Sequence, residues 1–122
     1  MVIVNNQYFL SQVSISSWNI NGIFQRINSF RYNKLNDVYV REILLQHKVF
    51  GLIETHHTSK EIADLNCFSE YKCFNTCRPV NDKKKRVKPS GGIAVYIHES
   101  IRKGVIKVPH SGTETLWIKF KK

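Results

Sequence analysis

Polar side chains suited to metal and phosphate chemistry follow two apolar segments of the sequence. The first segment runs through Ile15–Gly22 and ends in Asn19 and Asn21, and the second runs through Phe50–His56 and ends in Glu54. Folds built from alternating strands and helices present their reactive groups where strands end. A carboxylate and two carboxamides delivered in this way predict a site for a hard metal ion or a phosphate.

Apolar patterns predict the elements that position these groups. Residues 13–18 alternate as a strand does, residues 31–47 carry apolar side chains at helical spacing, and Val49–Ile53 is typical of a buried central strand. A strand-helix-strand order with a right-handed crossover makes the two strands parallel neighbours. Both polar strand ends are therefore predicted to lie at one edge of a single sheet.

Further short elements are predicted along the rest of the chain. A short helix capped by Thr58 or Ser59 ends at Leu65, and a brief strand follows over residues 71–75. Residues 78–90 carry too many like charges to fold alone and predict an exposed loop. The remaining segments predict an antiparallel meander of three strands, over residues 93–97, 105–108 and 115–120.

Composition and charge limit the possible partners. The 122 residues, 42% of them apolar, fit one globular domain. Nineteen Lys and Arg against nine acidic residues give a formal net charge of +10. Such a surface attracts polyanions, and nucleic acid fits best because neutralising its phosphates releases bound counterions. The alternative is that the charge serves only solubility.

The sequence shows no targeting signal or membrane-spanning segment. No apolar run approaches the roughly 20 residues that a membrane span needs, so we expect an intracellular protein that does not enter a membrane. The odd number of cysteines, crowded into one stretch, predicts reduced thiols rather than a disulfide framework. A zinc site is a weaker alternative, because the spacing of these residues is not that of a usual structural zinc site: His56, His57, Cys67, Cys73 and Cys77.

Four motifs follow one another along the sequence: SWNINGI at residues 17–23, IETH at 53–56, GGIAVYI at 91–97 and ETLW at 114–117. In this order they resemble the endonuclease/exonuclease/phosphatase superfamily, and in particular the apurinic-type endonuclease domains of LINE-type (non-LTR) retrotransposons. The resemblance implies a DNase-like four-layer α/β sandwich, represented here by an N-terminal fragment with a mixed sheet flanked by helices. It also implies that residues 1–12 are an N-terminal extension and residues 13–122 a partial domain.

The same resemblance assigns roles to individual residues. Asn19 matches the asparagine that helps orient the scissile phosphate or the metal shell, and Glu54 matches the metal-binding glutamate, so both are implied to be catalytic. Asn21 takes a metal-binding position that is aspartate in repair-type relatives and commonly asparagine in retrotransposon relatives. His56 is implied to support the site rather than to react. The implied ion is Mg²⁺, with Mn²⁺ as a substitute, without a small-molecule cofactor, and the implied substrate is DNA.

The basic loop is the second implied DNA-binding feature. In relatives of this kind the loop approaches the DNA, so we expect contacts with phosphates from Lys83, Lys84, Lys85, Arg86 and Lys88. The run also resembles a nuclear-localisation signal, which favours a nuclear protein. The alternative is a solvated loop without a specific role.

The later motifs of the superfamily have no match in the sequence: its tyrosine motif, its Asp-x-Asn and its terminal Ser-Asp-His. We therefore expect metal-dependent hydrolysis of DNA phosphodiesters to be weak or absent in this chain, and uncovered sheet surface to favour self-association. Two alternatives stay open, a catalytically inactive DNA-binding or interaction module and a phosphoesterase with another substrate. At the residue level, Glu54 could be a solvated acid, and Asn19 and Asn21 could serve only turn geometry.

Overall fold

The computed structural model describes residues 2–4, 14–79, 90–109, 112 and 114–120, which form a small mixed α/β domain. The strands are β1 (Val2–Val4), β2 (Ile15–Asn19), β3 (Phe24–Ile27), β4 (Phe30–Asn33), β5 (Val49–Ile53), β6 (Tyr71–Thr76), β7 (Ile93–His98), β8 (Val105–Val108) and β9 (Leu116–Phe120). The helical elements are the α-helix α1 (Val38–Leu44) and two 3₁₀ helices, Lys34–Asn36 and Ser59–Leu65. No helix in this described part is long and apolar enough to cross a membrane.

A four-stranded mixed sheet in the order β2-β5-β7-β6 forms the centre of the domain. β2 and β5 are parallel, with Ile15 opposite Val49 and Asn19 opposite Ile53. β7 runs antiparallel to both β5 and β6. The prediction that the two polar strand ends belong to parallel neighbours is therefore confirmed.

Both faces of the central sheet are covered at β5 and β7, whereas β2 at the edge of the sheet is largely exposed. One face packs against the helical elements through an aromatic and aliphatic cluster: Ile20, Ile23, Leu35, Leu44, Phe50, Leu52, Leu65, Phe68, Ala94 and Tyr96. The other face packs against a three-stranded sheet, ordered β1-β9-β8, through Val49, Phe74, Ile93, Val95, Ile97, Val105, Leu116, Ile118 and Phe120. The expected mixed sheet is confirmed, with helices on one of its faces and a second sheet on the other.

The predicted meander is wrong for its first strand. Instead of pairing with β8, β7 lies between β5 and β6, whereas β8 and β9 form an antiparallel pair that joins β1. Ile93–Ile97 is apolar at every position and buried throughout. A run that is apolar on both faces suits the middle of a sheet covered on both sides, which explains its placement.

The predicted helix over residues 31–47 is also too long. The α-helix begins after Asp37, whose Oδ1 accepts hydrogen bonds from the backbone N–H groups of Tyr39 (2.9 Å) and Val40 (3.2 Å) and so caps it. Before it, β3 and β4 form an antiparallel hairpin. The two turn residues, Asn28 and Ser29, have positive φ angles of 49° and 71°, which match the twist of a two-residue hairpin.

Two further predictions from the sequence concern the short helix after Thr58 and the N-terminal segment. The short helix is confirmed as a 3₁₀ helix, and the backbone N–H of Thr58 donates to Glu61 Oε1 at its start (3.0 Å). β1, inside the segment interpreted as an extension, pairs in parallel with β9 and has Val2 opposite Leu116. Three apolar residues carry no periodic signal, so sequence patterns did not predict this strand.

A substitution at Phe50 tests how much the aromatic core between the sheet and the helices contributes to stability. The Phe50 ring is fully buried, stacks on Tyr96 at 4.9 Å between centroids and meets Phe68 edge-on at 5.6 Å. We expect Phe50→Ala to lower the free energy of unfolding by about 3–5 kcal/mol, because it leaves a cavity and removes these ring contacts. In urea denaturation the control Phe30→Ala, at a side chain that is 69% exposed, should cost below about 1 kcal/mol. Equal losses would contradict this description of the core.

Candidate functional site

Backbone hydrogen bonds extend the parallel pairing of β2 and β5 beyond the ends of both strands. The N–H of Ile20 donates to the carbonyl of Ile53 at 3.0 Å, and the N–H of Gly22 donates to the carbonyl of Glu54 at 2.7 Å. The residues after β2 and those after β5 are therefore fixed relative to each other. The parallel register of β2 and β5 confirms the sequence prediction that Asn19 and Glu54 lie at one edge of the sheet.

The other side of the Glu54 segment is bound to the start of β7. The N–H of Thr55 donates to the carbonyl of Gly92 at 3.2 Å, and the N–H of His56 donates to the carbonyl of Gly91 at 2.8 Å. Gly92 has a φ of +93°, and a Cβ at this position would lie 2.2 Å from Thr55 Oγ1. A side chain there would separate the two backbones, so this close approach explains one glycine of the Gly-Gly motif.

Three residues of the site have left-handed backbone conformations. Asn21, Glu54 and His56 have φ angles of 48°, 55° and 56°. Asparagine tolerates this region, whereas for glutamate and histidine it costs on the order of 1 kcal/mol. Strained residues that persist in a well-packed setting cluster at functional sites. The strain here is held by the hydrogen bonds on both sides of the segment.

Among the predicted site residues that the structure describes, the side chains of Glu54 and His56 form a direct pair. His56 Nε2 donates to Glu54 Oε2 at 2.9 Å, and the two side chains are 29% and 45% exposed. A Cβ at Gly22 would lie 3.1 Å from His56 Nδ1, so this glycine lets the imidazole approach the loop after β2. The pairing orients the carboxylate while leaving it open to solvent, which agrees with the supporting role expected for His56.

Asn19 is the last residue of β2, Asn21 lies on the loop that follows, and both are exposed. Asn19 Oδ1 accepts a hydrogen bond from the backbone N–H of Asn21 at 3.1 Å. This is local turn chemistry of the kind weighed as an alternative for these residues. It fixes the side chain of Asn19 on the same sheet edge as Glu54, so the turn role and a phosphate-orienting role are compatible.

The donor set suits a hard ion held mainly by water and substrate. The described residues contain no cluster of three or more His, Cys, Asp or Glu side chains able to hold a metal. Mg²⁺ commonly binds through one or two carboxylates, several waters and a phosphate, so Glu54 with the amide oxygens of Asn19 and Asn21 fits a partial site.

Zinc fits poorly. The three cysteines are free thiols, as expected. No three His, Cys, Asp or Glu side chains among the described residues are grouped so that they could hold the ion. Burial raises the pKa of Cys73 to about 12, so its thiol is protonated in the metal-free protein. Neighbouring Cys67 has its pKa raised by burial as well. Both side chains pack against the aromatic core, in agreement with the alternative that these cysteines are structural.

Two cations near the strand ends were not singled out from the sequence. Lys34 Nζ donates to the backbone carbonyls of Ile20 (2.7 Å) and Asn21 (3.1 Å). Lys34 follows the β3–β4 hairpin, which the sequence patterns did not predict, so no local pattern connected Lys34 with the loop after β2.

Arg78 is the second cation at this edge. Its guanidinium pairs with Glu114 and donates through Nη1 to Ser90 Oγ at 2.6 Å, and its charge also interacts with that of Glu54. These contacts join the segment after β6 to those before β7 and β9. Only the pairing of distant strands brings these groups together.

His57 belongs to a buried network behind the site. Its Nδ1 accepts from the Thr55 hydroxyl at 2.6 Å, and its Nε2 donates to Asn75 Oδ1 at 3.2 Å. Burial lowers the pKa of His57, so the ring is neutral at neutral pH. Within one segment, Glu54 and His56 therefore face the site while Thr55 and His57 anchor it in the interior.

The predicted phosphate-binding loop residues lie outside the described part of the chain: Lys83, Lys84, Lys85, Arg86 and Lys88. Their role stays a prediction from the sequence. Comparisons of the chain with protein-family models, with curated proteins and with solved structures found no match. The family resemblance and the division at residue 13 likewise stay predictions that rest on the four motifs.

A substitution at Gly92 tests the close approach between this residue and Thr55, which holds the Glu54 segment against the start of β7. We expect Gly92→Ala to lower the free energy of unfolding by about 2–5 kcal/mol, because the new methyl group meets Thr55 Oγ1 and the backbone conformation is left-handed. The control Gly104→Ala, at an exposed turn with a φ of +78°, should cost about 1–2 kcal/mol. Chemical denaturation measures both, and equal costs would mean that the contact with Thr55 is unimportant.

Because His57 is buried as a neutral ring, we predict that the free energy of unfolding falls as the pH is lowered. The folded-state pKa of His57 lies below the ordinary value of 6.5, so the unfolded chain binds a proton more readily as the pH falls. The stability associated with the neutral ring is therefore fully present above pH 6.5 and is lost at lower pH. We expect wild type to lose more unfolding free energy than His57→Gln between about pH 8 and about pH 5. Parallel pH profiles for the two proteins would contradict a buried neutral histidine.

Proposed function

We propose that the ends of β2 and β5 form the metal- and phosphate-binding part of a site for hydrolysis of DNA phosphodiesters, within a DNase-like sandwich of which this chain supplies an N-terminal part. The observation that carries the proposal is the parallel register of β2 and β5, which sets Asn19 opposite Ile53 and next to Glu54. A solvated acid without a function would not need Asn19 beside it. It would also not need the left-handed backbone of Glu54, which hydrogen bonds hold from both sides.

Each residue has a distinct task in this proposal. Glu54 supplies the negative charge that holds Mg²⁺ or Mn²⁺, and His56 donates to Oε2 so that the carboxylate keeps one orientation. The Asn19 amide, restrained by its bond to the Asn21 N–H, can orient a phosphate oxygen. When bound, the ion stabilises the charge that develops on the phosphate and its leaving oxygen. Lys34 adds positive potential to the same loop.

DNA is favoured over a small phosphoester by the charge of the whole chain. A net charge of +10 spread over 122 residues attracts a long polyanion more strongly than a single phosphate group. An isolated phosphomonoester would need only the charges at the site itself. The chain is therefore proposed to bind DNA through its general basicity and to hold one phosphate at the strand ends.

A DNA-binding module without hydrolysis is the second candidate. It is favoured by the single carboxylate at the site and by the lack of a multi-residue metal cluster among the described residues. His57 is too deeply buried to serve as a general base. Both candidates share binding of metal and phosphate, and they differ in whether a complete site cleaves DNA.

Metal binding at Glu54 can be tested with Mn²⁺ as a paramagnetic probe. In NMR spectra of the chain, Mn²⁺ should broaden the backbone amide signals of residues 19–22 and 54–56 before others, because the ion is held at the strand ends. Glu54→Gln should remove this selective broadening, since it deletes the only charge in the donor set. Glu42→Gln, at an exposed position of α1, is the matched control and should leave the broadening intact. Unchanged broadening in Glu54→Gln would refute the proposed metal ligand.

A plasmid-nicking assay with Mg²⁺ tests whether this chain by itself carries a complete hydrolytic site. We expect the chain alone to nick no faster than Glu54→Gln, because part of the site is missing. Robust nicking that Glu54→Gln abolishes would show that the chain carries a complete site.

A further inference from the structure

A cavity of about 820 Å³ opens beside the candidate phosphate site. Asn21 and His56 line it on the side of the strand ends, and the β3–β4 hairpin lines it through Phe24, Arg26 and Arg31. Its volume falls in the range of roughly 300–1,000 Å³ that is common for ligand sites. Because it shares two lining residues with the candidate site, a group bound there would be a direct neighbour of a phosphate held at the strand ends.

Arg31 gives the cavity a flat, fixed surface. Its guanidinium lies 4.0 Å from the centroid of the Phe24 ring and forms ion pairs with Glu61 at 2.7 Å and Asp64 at 3.3 Å. The plane of the group is therefore set by three neighbours. A guanidinium plane that stacks on one ring can stack on a second ring with its other face, and nucleobases bind to arginine in this way.

Arg26 gives the cavity an exposed positive charge that no described carboxylate pairs with. It lies directly opposite Arg31 in the hairpin, and like charges in this arrangement repel each other. The two carboxylates of Glu61 and Asp64 offset the charge of Arg31, whereas Arg26 forms no ion pair with any residue that the structure describes. The charge of Arg26 is therefore available to an anionic ligand in the cavity.

We infer that this cavity binds an unpaired nucleotide of a DNA strand, next to the phosphate held at Asn19 and Glu54. The base stacks on the Arg31 guanidinium, and Arg26 contacts the phosphate of the same nucleotide. This inference rests on the proposed function for the identity of the polymer. A base inside a duplex cannot reach such a surface, so the cavity selects single-stranded or locally opened DNA.

The test measures the affinity of the chain for two labelled single-stranded oligonucleotides that differ at one central position. One carries a base there and the other an abasic spacer. Stacking predicts tighter binding of the oligonucleotide with the base by roughly five- to hundredfold. Arg31→Lys should remove this preference, because it keeps the charge but loses the plane. Arg26→Ala should weaken binding of both oligonucleotides and reduce the slope of log affinity against log salt by about 1.

Arg102→Ala is the matched control. Arg102 is exposed and lies at the opposite end of β7 from the site, so this variant should keep the full preference for a base. Arg31→Lys must retain the wild-type unfolding profile, and if it does not, Arg26→Ala with its salt slope decides. Equal effects of Arg26→Ala and Arg102→Ala, or no base preference in wild type, would overturn the inference.

The outcome also separates this inference from the proposed function. Loss of the Mn²⁺ effect in Glu54→Gln together with no base preference would leave the strand-end site standing and remove the nucleotide cavity. A base preference that depends on Arg31, without any metal effect at Glu54, would support the cavity and contradict the metal site. Absence of oligonucleotide binding would overturn the nucleotide cavity, whereas the Mn²⁺ experiment alone decides the metal site at Glu54.

Discussion

The position of residues 53–56 between two other backbones is the constraint on which the site depends. On one side the segment accepts hydrogen bonds from the loop after β2, and on the other it donates to Gly91 and Gly92. The second contact requires a residue without a side chain at 92, because a Cβ would overlap Thr55 Oγ1. The left-handed conformations of Glu54 and His56 are held by these bonds rather than by local preference.

This constraint divides the segment into an outer and an inner set of side chains. Glu54 and His56 remain partly exposed and pair with each other, whereas Thr55 and His57 are buried and link the segment to Asn75 on β6. The exposed carboxylate of Glu54 is thus attached to a backbone that the buried side chains of Thr55 and His57 hold in place. A ligand that binds at Glu54 meets a preorganised group, and little conformational entropy is lost on binding.

Positive charge is organised around the same edge by different elements. Lys34 is fixed by carbonyls of the loop after β2, and Arg78 is fixed by Glu114 and Ser90. Each cation is thus held in place by groups that come from other parts of the chain. The local field at this edge is therefore a property of the fold rather than of the net charge alone.

Part of this arrangement was predictable, and the failures have physical causes. Asn19 and Glu54 could be brought together because both follow apolar strand patterns separated by a crossover. The helix over 31–47 was overestimated at its start, since residues 31–33 pair with β3 as part of the hairpin and the Asp37 cap begins the α-helix only at Val38. The unbroken apolar run over residues 93–97 was likewise a signal for a central strand that the meander prediction did not use.

The sequence by itself determined the strand ends, the residue types that they deliver and the strong positive charge, because these follow from local apolar patterns and composition. Only the tertiary structure decided that β7 lies beside β5 and brings Gly91 and Gly92 against the Glu54 segment, and that the hairpin encloses a cavity next to Asn21 and His56. Such contacts join residues far apart in the chain, and their energies depend on packing that no local pattern records.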